Sequence, residues 1–169
     1  MRKILSLALA ALMIVSAFAF VSCGEKAAKL GLGVATTVSA TNATEEKAGS
    51  VKTAATVAAV LLSTDGKIIS VDIDTLEAAL GMTATGEAVA ASSLLSKRDK
   101  GDAYNMVKFG GATLEWYAQV DALETVLVGK TIEEAKALLL ETGYGADAVV
   151  AAGCTIAISG FVKAAAKLG

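Results

Sequence analysis

Two β-rich runs joined by an Asp-Gly turn constrain the fold of this chain more than any other feature. Residues 51–63 and 68–74 are rich in valine, isoleucine, leucine and threonine, which are the residues that favour strands. Asp65 and Gly66 lie between the two runs. Because glycine adopts a positive φ without a Cβ clash, Asp-Gly in this position predicts a tight β-hairpin.

Alternating side chains extend the predicted sheet. Residues 30–40 alternate apolar residues with small or polar ones, a period of two that is typical of a half-buried strand. Residues 68–74 alternate in the same way, so their side chains divide between two faces. We expect Ile69, Val71 and Ile73 to lie on a buried face and Ser70, Asp72 and Asp74 to lie on a solvent-exposed face.

The later part of the chain has the periodicity of helices. One apolar stripe recurs at helical spacing, and it consists of Trp116, Val120, Leu123 and Leu127. Gly129 is placed to end that helix. Thr131 and Glu134 have the spacing of a capping box, which predicts a second helix over residues 132–140.

Four further segments have weaker patterns. In residues 75–95, the spacing around Leu76 suggests a short helical turn, whereas residues 96–102 are typical of a charged, solvated loop. We expect a short strand at residues 155–158 and a last helix over residues 160–168.

Strands that come first and helices that come later favour the α+β class. We therefore predict an α+β fold with a mainly antiparallel sheet, made of N-terminal strands and a hairpin, packed against two or three C-terminal helices. Residues 30–169 are long enough to form a single domain with its own core.

The first 22 residues are organised like a secretory signal peptide. Arg2 and Lys3 precede an uncharged run over residues 4–22. A membrane-spanning helix needs roughly 20 strongly apolar residues, whereas this run is diluted by alanine and serine and no basic cluster follows it. We therefore expect residues 1–22 to be removed on export.

The end of this segment, Val21-Ser22-Cys23-Gly24, resembles the lipobox of bacterial lipoproteins. The resemblance implies that Cys23 becomes the first residue of the mature protein and carries lipid, such as palmitate, on its sulfur and amine. The protein would then be anchored to the cell membrane or outer envelope on its extracytoplasmic face, with residues 23–29 as a short tether. Each buried lipid methylene contributes about 0.8 kcal/mol, so two or three acyl chains anchor a protein stably.

A second cleavage site competes with the lipobox. Ala17-Phe18-Ala19 fits an ordinary signal peptidase. Cleavage after Ala19 would release a soluble secreted domain with an unmodified Cys23. We favour the lipobox, because a cysteine directly after the apolar run is improbable in a chain with only two cysteines.

The composition excludes several chemistries. The chain has no histidine, so it has no Ser-His-Asp or Cys-His nucleophile system and no His-ligated metal site. Its net charge of −2 becomes about −4 without Arg2 and Lys3, which argues against a nucleic-acid partner. Cys154 lies in an apolar stretch, where a thiol behaves as a small hydrophobic group. We predict no catalytic residue and no metal site.

Three aromatic residues form a candidate ligand face: Tyr104, Trp116 and Tyr117. Such side chains can line a pocket for an apolar, planar or sugar-like ligand. The competing interpretation is packing, with Phe109 and Trp116 anchoring the long helix on the sheet. The leading prediction is thus a non-enzymatic module that binds a small ligand or a partner and has no cofactor.

Gly111-Ala112-Thr113, just before a predicted helix, resembles the S-G-A-T-x-S/T signature of the FMN-binding domain family. The resemblance implies FMN attached through its phosphate to Thr113, and hence a redox lipoprotein. Glu115 stands where that family has serine or threonine, so this is the alternative function. Without a flavin, Thr113 would cap the following helix.

Replacement of the predicted lipid attachment residue tests the anchor. We expect Cys23→Ala to abolish fatty-acid labelling of the protein and to move it out of the membrane fraction, because no other residue of the lipobox can accept the thioether. The measurement is metabolic labelling followed by fractionation. An unchanged label would contradict the anchor. An intact-mass spectrum of the unsubstituted protein separates a mature start at Cys23 from one at Phe20, and the same spectrum reveals any FMN adduct.

Overall fold

The N-terminal half of the domain is a four-stranded antiparallel meander. The computed structural model describes residues 27–91 and 94–168, so the predicted signal peptide, Cys23 and both cleavage sites lie outside the described residues. The strands, in their order across the sheet, are β1 (Ala27–Thr41), β2 (Gly49–Ser63), β3 (Ile68–Met82) and β4 (Ala88–Ala91). Since β1 begins at Ala27, the end of the predicted tether belongs to the sheet.

The Asp-Gly hairpin forms as predicted between β2 and β3. Gly66 has a φ of +81° and lies at the turn. A β-bulge at Ile69 shifts the alternation of the second arm by one residue. Val71 and Ile73 are therefore buried as predicted, but Ile68 takes the buried position that the pattern assigned to Ile69.

The helical turn predicted within residues 75–95 is wrong. β3 continues to Met82 and pairs with β2 along its whole length, with Leu76 opposite Ala55 and Leu80 opposite Val51. The end of β3 pairs in turn with β4. Backbone pairing to a neighbouring strand satisfies the amides of this segment, so the sheet overrides a weak local helical preference.

In the part of the chain that the structure describes, six short helices follow the sheet, and the α+β prediction is confirmed. They are α1 (Lys97–Lys100), α2 (Met106–Gly110), α3 (Trp116–Leu127), α4 (Ile132–Ala137), α5 (Asp147–Ala151) and α6 (Ser159–Ala165), with 3₁₀ turns at Gly101–Tyr104 and Ala166–Leu168. The predicted loop at residues 96–102 is thus a helical turn, which begins where the Ser96 side chain accepts a hydrogen bond from the Asp99 amide. Among the described helices, none has both the length and the apolarity to cross a bilayer.

Two C-terminal segments also differ from prediction. Residues 155–158 do not form a strand, because Ala157 makes only an isolated bridge to Tyr144 and the side chain of Gln119 holds Thr155 instead. The last helix begins at Ser159, one residue before the predicted start, and Ile158 is its N-cap residue.

The core lies between one face of the sheet and the helices. This covered face includes Thr56, Ala58, Val60, Val71 and Ile73, all of them buried. The predicted stripe on α3 packs into the same core and is buried throughout. Because strand side chains alternate, the intervening residues form an open face on the other side of the sheet. Its large apolar members include Leu30, Leu32, Val38, Val51 and Leu80.

α6 lies unusually close to β1. A Cβ atom built on Gly33 would lie 1.8 Å from the carbonyl oxygen of Ala164, and one built on Gly31 would lie 2.8 Å from Cδ2 of Leu168. Glycine is needed at position 33 because the neighbouring atom belongs to the helix backbone and cannot rotate away.

Two matched substitutions measure how much a side chain between β1 and α6 lowers the free energy of unfolding. We expect Gly33→Ala to lower the free energy of unfolding by about 1–3 kcal/mol, because the new methyl group forces α6 off the sheet. Gly31→Ala in the same strand should cost less, since the flexible end of Leu168 can move. Both changes alter the unfolded chain alike, so urea denaturation reports the difference. Equal losses would contradict the close backbone contact.

Candidate functional site

The helices do not extend over the whole covered face of the sheet. Beyond them, a cavity of about 360 Å³ opens between this face and the helices. Its sheet side is formed by Thr37, Ala54, Thr56, Thr75 and Glu77. Its helical side is formed by Lys97, Tyr104, Met106, Trp116, Ile156, Ala157, Gly160 and Phe161. Aromatic walls with a few polar groups are the usual make-up of a small-molecule site.

Lys97 is the central charged group of this cavity. Its Nζ atom lies 2.7 Å from Oε1 of Glu77, 5.0 Å from the ring centre of Tyr104 and 5.4 Å from that of Trp116. The side chain is only 13% exposed. An ammonium group at these distances from two aromatic rings makes cation–π contacts, which strengthen as water is excluded.

The surroundings of Lys97 keep it protonated. Burial lowers the pKa of Lys97, but hydrogen bonds to Glu77 and Tyr104 and the charge of Glu77 together raise it above the usual value of lysine. The folded pKa therefore exceeds the unfolded one. The stability that this group contributes is fully present at neutral pH and is lost only as the pH rises through the raised pKa.

Two buried hydroxyl groups line the cavity between the strands. Oγ1 of Thr56 and Oγ1 of Thr75 lie 3.0 Å apart, directly opposite each other on β2 and β3. A hydroxyl group can donate one hydrogen bond and accept two. The pair therefore has hydrogen-bonding capacity beyond the single bond between its members.

Trp116 joins the cavity to the core. Its ring meets that of Phe161 edge to face, with ring centres 5.9 Å apart and planes at 77°. Gln119, one turn further along α3, is fully buried, donates to the Leu114 carbonyl and accepts from the amide and hydroxyl of Thr155. These bonds fix the segment before α3 and the segment before α6 against the same helix.

A second cavity of about 340 Å³ continues the first one along the sheet. The two share Thr37, Ala54 and Glu77, and the second adds Ser39, Lys52 and Lys100. Lys100 also lies near the aromatic wall, with Nζ 5.9 Å from the ring centre of Tyr104. Three lysines and one glutamate line the combined groove, which is therefore cationic in a chain whose net charge is negative.

The structure brings together two of the three residues of the predicted ligand face. Tyr104 and Trp116 both line the first cavity, whereas Tyr117 does not. The hydroxyl of Tyr117 instead donates to Oδ1 of Asp102, 3.1 Å away, and that hydrogen bond raises the pKa of Tyr117. The core role expected for Phe109 is wrong, because that ring is 78% exposed, while Trp116 is buried.

Thr113 lies in an exposed bend between α2 and α3 and does not line the cavity. It does not cap α3, because the N-cap position is occupied by Glu115. The Glu115 carboxylate accepts hydrogen bonds from the amides of Met106 and Val107 at the start of α2. FMN attachment at Thr113 stays a prediction, since no contact of the described residues bears on it.

Lys97 and Glu77, the charged pair of the site, are not among the site residues that the sequence predicts. The charges of residues 96–102 are typical of a solvated loop, and residues 75–95 have only a weak pattern. One local signal was available, because Ser96 and Asp99 have the spacing of a helix N-cap. No local signal could have paired Lys97 with Glu77, which is 20 residues earlier in the chain.

A second ionic cluster lies beside the site and protects the edge of β3. Arg98 donates to the carbonyl of Ile73 and to the carboxylates of Asp121 and Glu124, and Glu124 also accepts from the amide of Ile73. These side chains satisfy backbone groups that β4 does not reach, so this part of the edge is not open to pairing with another strand.

The pKa values of this cluster are shifted by burial and by charge. Burial raises the pKa of Glu124 above that of an ordinary glutamate, and the Ile73 amide and Arg98 offset only part of that rise. Glu124 thus protonates more readily in the folded than in the unfolded chain. Its contribution to stability is present at low pH and declines as the pH rises through the raised pKa, so acid does not destabilise the fold through this group.

No protein-family model, curated protein or solved structure matches this chain. Within the described residues, no group of histidine, cysteine or acidic side chains could hold a metal ion. Cys154 is fully buried, and burial raises the pKa of its thiol. The function must therefore be argued from the groove and from the N-terminal segment.

The ionic cluster of Arg98, Asp121 and Glu124 should contribute more to the free energy of unfolding than an exposed ion pair does. We expect Arg98→Met to lower the free energy of unfolding by about 1–3 kcal/mol, because Glu124 then keeps a half-buried charge without its partner. Lys136→Met removes an exposed pair with Glu133 and should cost less than about 0.5 kcal/mol. Thermal and urea unfolding of the two variants give the comparison. Similar losses would mean that the cluster acts only as a surface ion pair.

Proposed function

We propose that this chain is an exported lipoprotein, anchored to the cell envelope through Cys23, whose domain binds a small ligand without catalysing a reaction. The anchor rests on the signal-peptide pattern and on the lipobox resemblance of residues 21–24. The binding role rests chiefly on one observation: the ammonium group of Lys97 lies within reach of both the Tyr104 and Trp116 rings in a cavity.

The cavity chemistry favours binding over catalysis. A lysine acts as a nucleophile or base only when it loses its proton near neutral pH, whereas the pKa of Lys97 is shifted upwards. The Glu77 carboxylate is already paired with that ammonium group. The groove also contains the hydroxyls of threonine, serine and tyrosine, which the chain cannot activate with a histidine because it has none.

The same chemistry indicates the class of ligand. The aromatic wall of Tyr104 and Trp116 suits a planar ring. Lys52 and Lys100, in the adjoining part of the groove, suit an anionic group. A planar compound with a carboxylate or phosphate group would contact both regions, and hydroxyl groups along the sheet would fix its orientation.

The single tryptophan of the chain makes this proposal directly testable. 4-Nitrobenzoate and 4-nitrobenzyl alcohol have the same ring, differ in charge, and quench tryptophan fluorescence. We expect saturable quenching of Trp116 by 4-nitrobenzoate, with affinity at least about tenfold higher than for the alcohol, equivalent to about 1.4 kcal/mol. The measurement is a fluorescence titration of the exported full-length protein.

Lysine variants show whether the groove is responsible. Lys52→Met and Lys100→Met should each weaken binding of 4-nitrobenzoate towards the level of the alcohol. Lys136→Met removes a lysine that lies outside the groove and should leave binding unchanged. Quenching that does not saturate, or that is equal in all three variants, would overturn the proposed ligand class.

A further inference from the structure

The open face of the sheet exposes large apolar side chains to solvent. Leu30, Leu32 and Val38 on β1 are 75%, 66% and 71% exposed. Val51 on β2 and Leu80 on β3 are also exposed. Isolated exposed leucines are common, but a continuous apolar patch on a folded domain marks an interaction surface.

Strand register shows that these side chains form one surface. Leu32 lies opposite Ala59, Val38 opposite Thr53, and Leu80 opposite Val51. Around the middle of the open face lies a mainly apolar depression of about 320 Å³, lined on this face by Thr36, Val38, Thr53, Ala55, Leu76 and Ala78. Small alanines bordered by larger residues leave room for the side chains of an opposing surface.

The charged residues of this face are confined to one corner. Among the described positions they are Asp72 and Asp74, near the free edge of β3. Arg98 contacts both, through Nε to the Asp72 carboxylate and through its backbone amide to Asp74. An apolar centre with compensated charges at the rim is the organisation of a protein–protein interface.

The area of the open face matches the need of a stable dimer. β1, β2 and β3 are each 15 residues long. With a rise of about 3.3 Å per residue and a strand spacing of about 4.8 Å, they cover roughly 700 Å². Two such faces would bury roughly 1,400 Å² in total, within the range of specific interfaces.

We propose that two copies of this chain pack open face against open face and form a symmetric β-sandwich dimer. The contact is isologous, since the same patch serves both copies. A lipid surface fits the face less well. Side chains that bind bilayers are basic residues and interfacial tryptophan or tyrosine, whereas the described residues of this face include none of these and carry carboxylates.

The test measures the oligomeric state of the full-length chain after export, with Cys23→Ala to exclude any lipid anchor. Sedimentation velocity should give a dimer at about 100 µM, well above the micromolar affinity of even the weaker interfaces of this size. Val38→Lys should weaken association at least about 100-fold, because it buries an unpaired charge in the interface. A monomeric protein that carries Cys23→Ala as its one substitution would overturn the proposal.

A control substitution outside the open face and a second substitution within it show whether the loss of dimer is specific to this face. Val150→Lys on α5 changes an exposed valine, 47% accessible, away from the sheet, and should leave the dimer intact. Leu32→Lys should disrupt it as Val38→Lys does, and thermal unfolding checks that each variant is folded. Equal behaviour of the Val38 and Val150 variants would contradict the interface.

Vesicle flotation separates the lipid alternative. Phosphatidylcholine vesicles, with and without phosphatidylglycerol, should not carry the Cys23→Ala protein. A monomer that floats with these vesicles, and that loses this ability in Val38→Lys, would assign the open face to the membrane and overturn the dimer. The ligand groove lies on the other face, so these outcomes are independent of the 4-nitrobenzoate titration.

Discussion

The close contact of α6 with β1 is the constraint on which the rest of the structure depends. At Gly33 the strand backbone meets the Ala164 carbonyl with no room for a side chain. The ammonium group of Lys29 also donates to the carbonyl of Leu168, so the first strand and the last turn are joined. This contact places Phe161 against Trp116 and Gly160 beside Thr56. It thus closes the core and builds one wall of the cavity beside Lys97.

A sheet longer than the helical layer leaves two different surfaces of the strands accessible. The helices bury the half of the covered face nearest the Asp-Gly turn, and the other half lines the groove with threonine, serine and lysine. Leucine, valine and alanine dominate the opposite side of the same strands. Alternation along each strand therefore gives a polar groove on one side of the sheet and an apolar face on the other. The proposed ligand binding and the proposed dimer contact use these different sides.

Local patterns predicted local structure well. The Asp-Gly hairpin, the buried stripe of α3 and the capping box of Thr131 and Glu134 all form as predicted, because each depends on residues only a few positions apart. The extension of β3 to Met82 was missed, since it depends on pairing with β2. The aromatic character of Phe109 favours a core position, but the side chain is exposed because the path of the chain before α3 decides where it lies. The sequence predicted the aromatic residues of the site, Tyr104 and Trp116, but not Lys97, which contacts both rings.

The sequence by itself determined the α+β class, the order of the main elements and the prediction of export and lipid attachment at Cys23. Those inferences use periodicity, turn chemistry and a contiguous motif, which do not depend on distant residues. Only the tertiary structure decided that Lys97 meets Glu77, Tyr104 and Trp116, and that Tyr117 does not. It also decided which face of the sheet the helices cover. The physical reason is that strand register and the α6 contact bring together groups far apart in the chain, and no local pattern encodes those distances.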